Sequence, residues 1–287
     1  MKFSIVTPSF RNSAWLKLCI ASVADQEGVA FEHIVQDACS DDGTQDWLPG
    51  DTRVKAFIEK DRGMYDAVNR GWKRSNGDIL AYLNCDEQYL PGALAAVQSF
   101  FTAHPEVDVV LPDTVVVNAD GSYLCHRFSM VPLPGHLWIR FNVTTCSLFI
   151  RRRVVEELGI YFDPQWRDLG DFHWIRTAVE RGVRFAEMRH FAAVFTETGE
   201  NMNLKPNARR ESEIKRQMTP RWVRAGAPLI VGWHGWRMFR CQAGSQPPAS
   251  YALFTLESPL RRVTQDVVNP TTRWTRPPQK QPANPGP

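Results

Sequence analysis

The stretch ILAYLNCDE occupies residues 79–87 and joins an apolar run to a pair of acids. Its apolar first half is typical of a buried strand, and Asp86 and Glu87 follow where that strand should end. In open α/β sheets, ligands bind beyond the carboxyl ends of the parallel strands. The stretch therefore predicts a site at the end of a strand, with an α/β sheet behind it.

The same arrangement recurs along the first half of the chain, where short apolar runs alternate with helical patterns. Such alternation is typical of an α/β fold in which helices flank a mostly parallel, Rossmann-like sheet. Asp37 ends the second run as Asp86 follows the fourth, so two acids are expected at one edge of the sheet. The strands are predicted over residues 3–7, 31–37, 54–58, 79–84, 107–111, 115–117, 123–126, 146–151 and 183–188. The helices are predicted over residues 13–25, 45–48, 64–74, 92–101, 172–180 and 208–218.

The charge of the chain is divided unevenly along its length. The 287 residues carry a formal net charge of only +3, but the part from Lys205 onward has 14 Lys and Arg against 4 Asp and Glu, and the part before it has 20 against 27. This basic C-terminal part predicts an anionic partner. Its tryptophans, Trp222, Trp233 and Trp236, favour a membrane surface, because indole rings concentrate at the lipid interface. A helix packed on the rest of the domain is the alternative, and nucleic-acid binding is not expected.

The cysteines and the apolar stretches indicate the cellular compartment of the protein. The six cysteines form no C-x-x-C pair, so neither a zinc ribbon nor a dense disulfide framework is indicated. The chain opens without the apolar region of a signal peptide, and its longest apolar stretch, residues 225–239, is shorter than the roughly 20 residues of a membrane span. We expect a cytoplasmic protein, attached at most peripherally to the inner face of the cytoplasmic membrane.

The acids near the strand ends can be interpreted in two ways. Asp37, at the end of a strand, could accept hydrogen bonds from a nucleobase, whereas the acids that follow it in residues 40–42 could cap the next helix. The neighbouring carboxylates of Asp86 and Glu87 repel each other, so burying both requires a cation, and Mg²⁺ or Mn²⁺ prefers such oxygen ligands. An isolated acid pair in a loop is more often a solvated turn.

Three stretches together carry a family resemblance. They are IVTPSFRN at residues 5–12, KDRGMYDAVNRG at 60–71 and NGDILAYLNCDE at 76–87. In this order they strongly resemble glycosyltransferase family 2, most closely the bacterial enzymes that build surface polysaccharides such as the colanic-acid type. The resemblance covers roughly the first 200 residues.

The resemblance implies a GT-A fold and a set of donor-binding residues. Thr7 and Pro8 would border the nucleotide, and Asp37 would bind the base with Asp61 nearby. Asp86 would contact the sugar nucleotide and, together with Glu87, take the role of the family's metal-binding acids. In the family that motif is written with two or three Asp, so Cys85 and Glu87 depart from it.

A later stretch, LGDFHW at residues 169–174, resembles the acid-Asp-aromatic motif that supplies the family's catalytic base. The resemblance implies that Asp171 is that base, and Gly170 replaces the usual first acid. The alternative is structural, because an Asp at the beginning of a helix is often its N-cap.

Together these features predict an inverting, metal-dependent glycosyltransferase. The donor would be a UDP-, GDP- or dTDP-linked sugar and the acceptor a sugar or lipid-linked sugar in bacterial polysaccharide or glycolipid biosynthesis. Its catalytic domain is expected over residues 1–204, with a nucleotide-sugar-binding half (1–112) and an acceptor half (113–204), followed by a basic helical extension (205–243) and a Pro-rich disordered tail (244–287).

Three rival functions can be compared with this prediction. A catalytically inactive GT-A-like protein that binds sugar nucleotides would explain the departures at Cys85, Glu87 and Gly170. An oxidoreductase is disfavoured because no G-x-G-x-x-G follows the first strand, and a nucleotidyltransferase because no Gly-rich loop does.

Overall fold

The computed structural model describes residues 1–199 and 206–275, and in this part of the chain the central sheet has nine strands. They span Lys2–Ser9 (β1), Ala30–Asp37 (β2), Lys55–Ile58 (β3), Ile79–Tyr82 (β4), Gln88–Tyr89 (β5), Val109–Asn118 (β6), Tyr123–Arg127 (β7), Phe149–Arg151 (β8) and Phe185–Glu197 (β9). Their order in the sheet is β3-β2-β1-β4-β8-β6-β9-β5, and β7 pairs with β6. The sheet is thus mixed, with a parallel first half.

Helices cover both faces of this sheet. They span Ser13–Ala24 (α1), Thr44–Trp47 (α2), Met64–Arg74 (α3), Ala93–Ala103 (α4), Pro134–Ile139 (α5), Arg152–Glu156 (α6), Gly170–Glu180 (α7), Pro206–Met218 (α8), Arg221–Ala225 (α9) and Ala227–Arg240 (α10). Side chains alternate between the two faces of a strand, so Val6 packs with α3 and α7 while its neighbour Ile5 packs with α1 and α4. Helix α3 lies close to β1, because a Cβ added at Gly71 would be 2.4 Å from Cγ1 of Val6.

The parallel strands bring their carboxyl ends to one edge. β1 pairs in parallel with β2 and with β4, and β2 pairs in parallel with β3. Asp37 at the end of β2 and the acids after β4 therefore lie along the same edge, as the sequence predicts. The first four strands and the helices between them occur within a few residues of the predicted bounds.

The second half of the sheet differs from the prediction. Residues 107–111 and 115–117 were expected as two strands, but they belong to the single long strand β6, and β9 runs nine residues beyond the predicted end at Met188. β6 and β9 pair in parallel over ten positions with two register shifts. Irregular pairing of this kind interrupts the local apolar pattern, which explains why the pattern suggested shorter strands.

The expectation of a disordered tail from residue 244 is wrong for the part that the structure describes. Ala249–Leu253 (β10) and Val263–Val267 (β11) form an antiparallel pair. Their apolar side chains pack with Val115 and Val117 of β6 and Val194 of β9, and Tyr251 Oη donates to the carbonyl of Gly121 at 2.8 Å. The main sheet supplies the apolar partners that this Pro-rich segment lacks by itself. Residues 276–287 and the predicted boundary at 204 lie outside the described residues.

The length and polarity of the helices decide whether any of them could cross a membrane. Within residues 1–199 and 206–275, every helix is too short or too polar to cross a bilayer.

Candidate functional site

Asp37 holds together the loops at the nucleotide end of the predicted site. Its Oδ1 accepts a hydrogen bond from the Ser40 N–H at 2.8 Å, and its Oδ2 accepts one from the Ser40 hydroxyl at 2.7 Å. Ser40 Oγ in turn accepts from the N–H of Arg11, in the loop after β1, at 2.8 Å. The Asp37 side chain is fully buried, and its assignment to the nucleobase stays a prediction. The carboxylate fixes the shape of this edge.

The acids after Asp37 have a structural role, but they are not the N-cap of the next helix, which is Gly43. Asp42 Oδ2 accepts from the N–H of Ser13, the first residue of α1, at 2.8 Å. Asp42 Oδ1 accepts from the Thr44 hydroxyl at 2.6 Å. Asp41 forms an exposed ion pair with Arg11. These side chains stabilise the loop and the adjacent helix.

Thr7 and Pro8 are also buried. The Thr7 hydroxyl lies 2.8 Å from Nε2 of His33, and burial lowers the pKa of His33 to about 3. A neutral imidazole can form a hydrogen bond with a hydroxyl inside the core without burying a charge. The Thr7 side chain therefore bonds within the core, and the place of Thr7 beside the nucleotide stays a prediction.

Asp61 lies close to Asp37 beyond the end of β3. Its Oδ1 accepts from the Gly63 N–H at 2.8 Å. Burial raises the pKa of Asp61, and the nearby charges of Asp66 and Asp37 raise it further. The structure thus brings together the two acids that the resemblance assigns to the nucleoside.

The two acids after β4, Asp86 and Glu87, have raised pKa values. Glu87 is 1% exposed, its Oε2 accepts from the Asn84 N–H at 2.8 Å, and its Oε1 has no hydrogen-bond partner. Burial and the charge of Asp86 raise the pKa of Glu87 to about 8. Burial likewise raises the pKa of Asp86, which is partly exposed, to about 6. The pair is not a solvated turn.

These residues fit a divalent cation. Among residues 1–199 and 206–275, neither carboxylate has a Lys, Arg or His within ion-pair distance, and no three His, Cys, Asp or Glu side chains converge as a complete set of metal ligands. Two carboxylates with raised pKa values and an unpaired Oε1 of Glu87 are hard oxygen donors that lack a counter-charge. The remaining ligands of such a cation would come from substrate and water.

Asp171 lies in the first turn of α7, but it is not the N-cap of that helix. The N-cap is Leu169, so the capping interpretation is wrong. Asp171 Oδ1 accepts from the Phe172 N–H at 2.7 Å, and the Asp171 N–H donates to Tyr65 Oη at 3.1 Å. Burial raises the pKa of Asp171 to about 6, although the charge of Lys215 partly opposes this shift.

Close approach of the Tyr65 ring explains why residue 170 is glycine where the family motif has an acid. A Cβ at this position would lie 2.5 Å from two ring carbons of Tyr65. Tyr65 itself is 2% exposed and stacks on Phe162 with ring centroids 4.8 Å apart. A side chain at residue 170 would therefore separate α7 from the ring that contacts Asp171.

Tyr82 is a buried phenol at the end of β4. Its pKa is raised first by burial and then by the charges of Tyr65, Asp171 and Glu87. Asp171 and Glu87 therefore both lie within electrostatic range of this one side chain. Sequence order alone separates them by 84 residues.

Glu211 is the residue that the sequence did not reveal. It is 4% exposed on α8, and it accepts hydrogen bonds from the N–H groups of Arg167, Asp168 and Leu169 at 2.8, 3.0 and 2.8 Å. These three donors immediately precede α7 and would otherwise lack an acceptor from the helix. Asn207 Nδ2 also donates to Glu211, at 2.8 Å. A glutamate in a charged helix carries no local signal for such a role.

Two further groups of residues are not in this site. Arg151 pairs with Ile79 at the beginning of β4, because β8 runs antiparallel to β4. The run of three arginines at residues 151–153 therefore lies at the opposite edge of the sheet from the acids. Trp174 is buried in the core and donates to the Ile160 carbonyl at 2.9 Å, so it is a packing residue.

Comparison with known proteins identifies relatives of the chain. The sequence profile described as Glycosyl transferase family 2 matches residues 4–159, over half of the chain. A PGL/p-HBAD biosynthesis glycosyltransferase of Mycobacterium bovis (strain BCG / Pasteur 1173P2) is 29% identical over 180 residues, which are 59% of this chain and 66% of that protein. A GalNAc(5)-diNAcBac-PP-undecaprenol beta-1,3-glucosyltransferase of Campylobacter jejuni is 29% identical over 102 residues, 33% of each chain. The match thus spans just under two thirds of the mycobacterial relative.

Solved structures share the fold at low sequence identity. S. aureus TarS in complex with UDP-GlcNAc is 18% identical with a TM-score of 0.56, over 69% of this chain and 59% of that one. Mannosyltransferase PcManGT from Pyrobaculum calidifontis, in complex with GDP-Man and Mn²⁺, is 16% identical with a TM-score of 0.52, over 85% and 76%. The fold is GT-A, as the resemblance implied. Because the family profile covers more than half of a chain with this fold, the chain belongs to glycosyl transferase family 2.

Proposed function

We propose that the chain is an inverting glycosyltransferase that moves a sugar from a nucleoside-diphosphate sugar to an acceptor hydroxyl. The observation that supports this proposal most is Asp171, a carboxylate in the first turn of α7 whose pKa burial raises to about 6. Such a group is ionised at neutral pH and is basic enough to take the proton of a hydroxyl as the new bond forms. Direct attack by that hydroxyl would invert the anomeric carbon.

The donor in this proposal is a UDP-, GDP- or dTDP-linked sugar. Asp61 and the loop that Asp37 fixes would contact the nucleoside, and Asp86 would lie at the diphosphate. TarS is named with UDP-GlcNAc and the Pyrobaculum enzyme with GDP-Man, so structures of this fold accommodate either base.

A divalent cation, Mg²⁺ or Mn²⁺, belongs to the proposal, with Asp86 and Glu87 holding it. When bound, it would neutralise the negative charge that develops on the leaving nucleoside diphosphate. Burial without a counter-charge raises the pKa of both carboxyl groups. A bound cation would favour the ionised forms of both carboxyl groups and offset the free-energy cost of burying their charges.

The relatives suggest polysaccharide or glycolipid biosynthesis as the setting, with a sugar or lipid-linked sugar as acceptor. The rival proposal of a catalytically inactive binding protein depended partly on Gly170. That departure now has a steric explanation in Tyr65, so it no longer argues for lost activity. Turnover of a sugar nucleotide would separate the two proposals.

The substitution Asp171→Asn tests the catalytic assignment. A thermal-shift screen of UDP-, GDP- and dTDP-sugars first identifies the donor, because a ligand of the folded state raises the melting temperature. We expect Asp171→Asn to lower turnover by about 10²–10⁴ with a bacterial lipid extract as acceptor, since an amide cannot accept the proton. Donor affinity should persist, and the melting temperature at pH 8 should not fall, because the ionised buried carboxylate is replaced by a neutral group.

Asp163→Asn provides the matched control, because Asp163 is an exposed acid eight residues before Asp171. It should turn over as fast as the wild type. If Asp171→Asn keeps more than about a tenth of the rate, Asp171 is not the base, and Asp168 or Asp163 becomes the next candidate.

The cation assignment has a test that does not depend on turnover. Calorimetric titration of Mn²⁺ in the presence of UDP or GDP should show weaker binding for Asp86→Asn and for Glu87→Gln. Unchanged affinity in both variants would remove this pair from the cation site.

A further inference from the structure

Helix α10 exposes a stripe of large side chains. Leu229, Trp233, Trp236 and Arg240 are spaced by four, three and four residues, so they lie along one side of the helix. Leu229 is 80% exposed, Phe239 beside the stripe is 82% exposed, and Trp233 stacks on Trp236 with ring centroids 4.5 Å apart. Contiguous exposed side chains of this size are typical of an interaction surface.

The other side of α10 is held against the domain. His234 Nδ1 lies 3.2 Å from Nε2 of His136 in α5. Arg237 donates to the Val131 carbonyl at 3.0 Å and pairs with Glu187 of β9 at 3.6 Å. These contacts give the helix a defined orientation, so the apolar stripe is its outer face.

Cations surround this stripe, and acids are absent from its part of the sequence. Residues 214–256 contain six Lys or Arg and no Asp or Glu. Arg221 and Arg224 are exposed on α9, and Trp222 between them is 65% exposed. The guanidinium of Arg240 lies 5.1 Å from the centroid of an indole ring of the stripe. Arg216 and Arg237 are paired with Glu213 and Glu187, so the face combines its apolar groups with the exposed cations Arg221, Arg224 and Arg240.

We propose that α9 and α10 form a face that binds an anionic lipid bilayer. The indole and aliphatic side chains would enter the headgroup region, and the arginines would contact lipid phosphates. Helix α10 would lie flat, because its 14 residues span about 21 Å and the hydrocarbon core is about 30 Å thick.

Other binding partners of this face would explain fewer of these observations. A second copy of the chain would place the same cations against each other, and residues 214–256 offer no acid to offset them. A nucleic acid would satisfy the arginines but gives the exposed Leu229 and Phe239 no apolar surface to contact.

The face adjoins the half of the domain that carries Asp171. Trp222 packs over Gly135 of α5, where an added Cβ would lie 2.9 Å from the indole, and α5 contacts α7. A bilayer on this face would bring a lipid-linked acceptor toward α7. That consequence depends on the proposed function, whereas lipid binding itself does not.

Co-sedimentation with phosphatidylcholine vesicles, with and without phosphatidylglycerol, tests the proposal. The wild-type chain should bind the phosphatidylglycerol vesicles. Joint substitution of Trp233→Ser and Trp236→Ser should weaken that binding at least about tenfold, because two indoles leave the interface. Leu260→Ser removes a leucine that is 90% exposed between β10 and β11, and this matched control should bind as the wild type does.

A second pair of variants tests the charge. Joint substitution of Arg221→Glu and Arg224→Glu should weaken binding to phosphatidylglycerol vesicles at least about tenfold and abolish its salt dependence. Arg261→Glu, an exposed arginine outside the face, should change little.

Several outcomes would overturn the proposal. They are no sedimentation of the wild type with anionic vesicles, equal binding by the double Trp variant, and salt-sensitive retention on DNA without vesicle binding. A dimer seen by light scattering without lipid, and dissociated by the Trp substitutions, would assign the face to a second copy instead. Asp171→Asn should sediment like the wild type, so a failure of the catalytic proposal would not be mistaken for a failure of this one.

Discussion

Replacing Glu211 by alanine should uncouple α8 from the helix that carries Asp171. The Glu211 carboxylate accepts three backbone hydrogen bonds from residues 167–169 at 2.8–3.0 Å. Hydrogen bonds to a charged group contribute about 1.5–3 kcal/mol each, and donors left without a partner add to the loss. Water can reach part of this loop, so we expect the free energy of unfolding to fall by about 3–5 kcal/mol.

Urea denaturation and turnover together measure this effect. Glu211→Gln keeps an acceptor oxygen but loses the charge, so it should lie between the wild type and Glu211→Ala in stability. Turnover should fall in the same order with donor affinity unchanged, because Asp171 loses its position. Glu213→Ala is the matched control, since Glu213 is exposed on the same helix and bonds only to Arg216 and Gln217 there. It should unfold at the wild-type urea concentration.

The pH dependence of stability provides an independent check on Glu211. Burial alone would raise its pKa, but the hydrogen bonds from Arg167 and Leu169 outweigh burial and lower it below the ordinary 4.5. A lowered pKa in the folded state means that the stabilisation is complete above pH 4.5 and is lost as the pH falls through the lowered value. The advantage of the wild type over Glu211→Gln should therefore shrink in acid. If Glu211→Ala unfolds at the same urea concentration as Glu213→Ala, the three hydrogen bonds are not stabilising and the reasoning is refuted.

Three further predictions follow from the site. Because the pKa of Asp171 is about 6, kcat/KM should fall about tenfold per pH unit below 6 and level off above about 7, and a flat profile from pH 5 to 8 would contradict a base with this pKa. The charge of Lys215 lowers that pKa, so Lys215→Met should move the midpoint of the profile to higher pH while Lys215→Arg leaves it in place. Gly170→Ala should lower the free energy of unfolding by about 1–3 kcal/mol in urea denaturation, because its Cβ would overlap Tyr65. Its control is Gly232→Ala on α10, where an added Cβ would have no atom within 4 Å, so this change should stabilise the chain. Equal stability of the two variants would contradict the overlap with Tyr65.

The first half of the fold could be predicted because its contacts are regular. Strands β1 to β4 are parallel neighbours separated by helices, so apolar periodicity and turn residues suffice to place them. The rule that ligands bind at carboxyl edges then placed the acids after β2 and β4 on one edge. The long pairing of β6 with β9 and the packing of β10 on these two strands join distant segments, and local patterns do not encode them.

The environment of individual site residues was less predictable than their position. Asp37 lies at the end of β2 as predicted, whereas Thr7 lies within β1, which continues to Ser9, and both side chains bond inside the protein. Whether a polar side chain at a strand end faces a cleft or the core depends on which loop covers it. That is decided by neighbours such as Ser40 and His33, which the sequence does not mark as partners.

The sequence by itself determined the family, the α/β class and the residue types of the candidate site, because periodicity and motif order are local properties of the chain. Tertiary structure alone decided that Glu211 bonds the loop before α7, that Tyr65 requires glycine at residue 170, and that the charges of Asp171 and Glu87 both act on Tyr82. Burial, hydrogen-bond partners and pKa values depend on atoms brought together from distant segments. They are fixed only when the chain has folded.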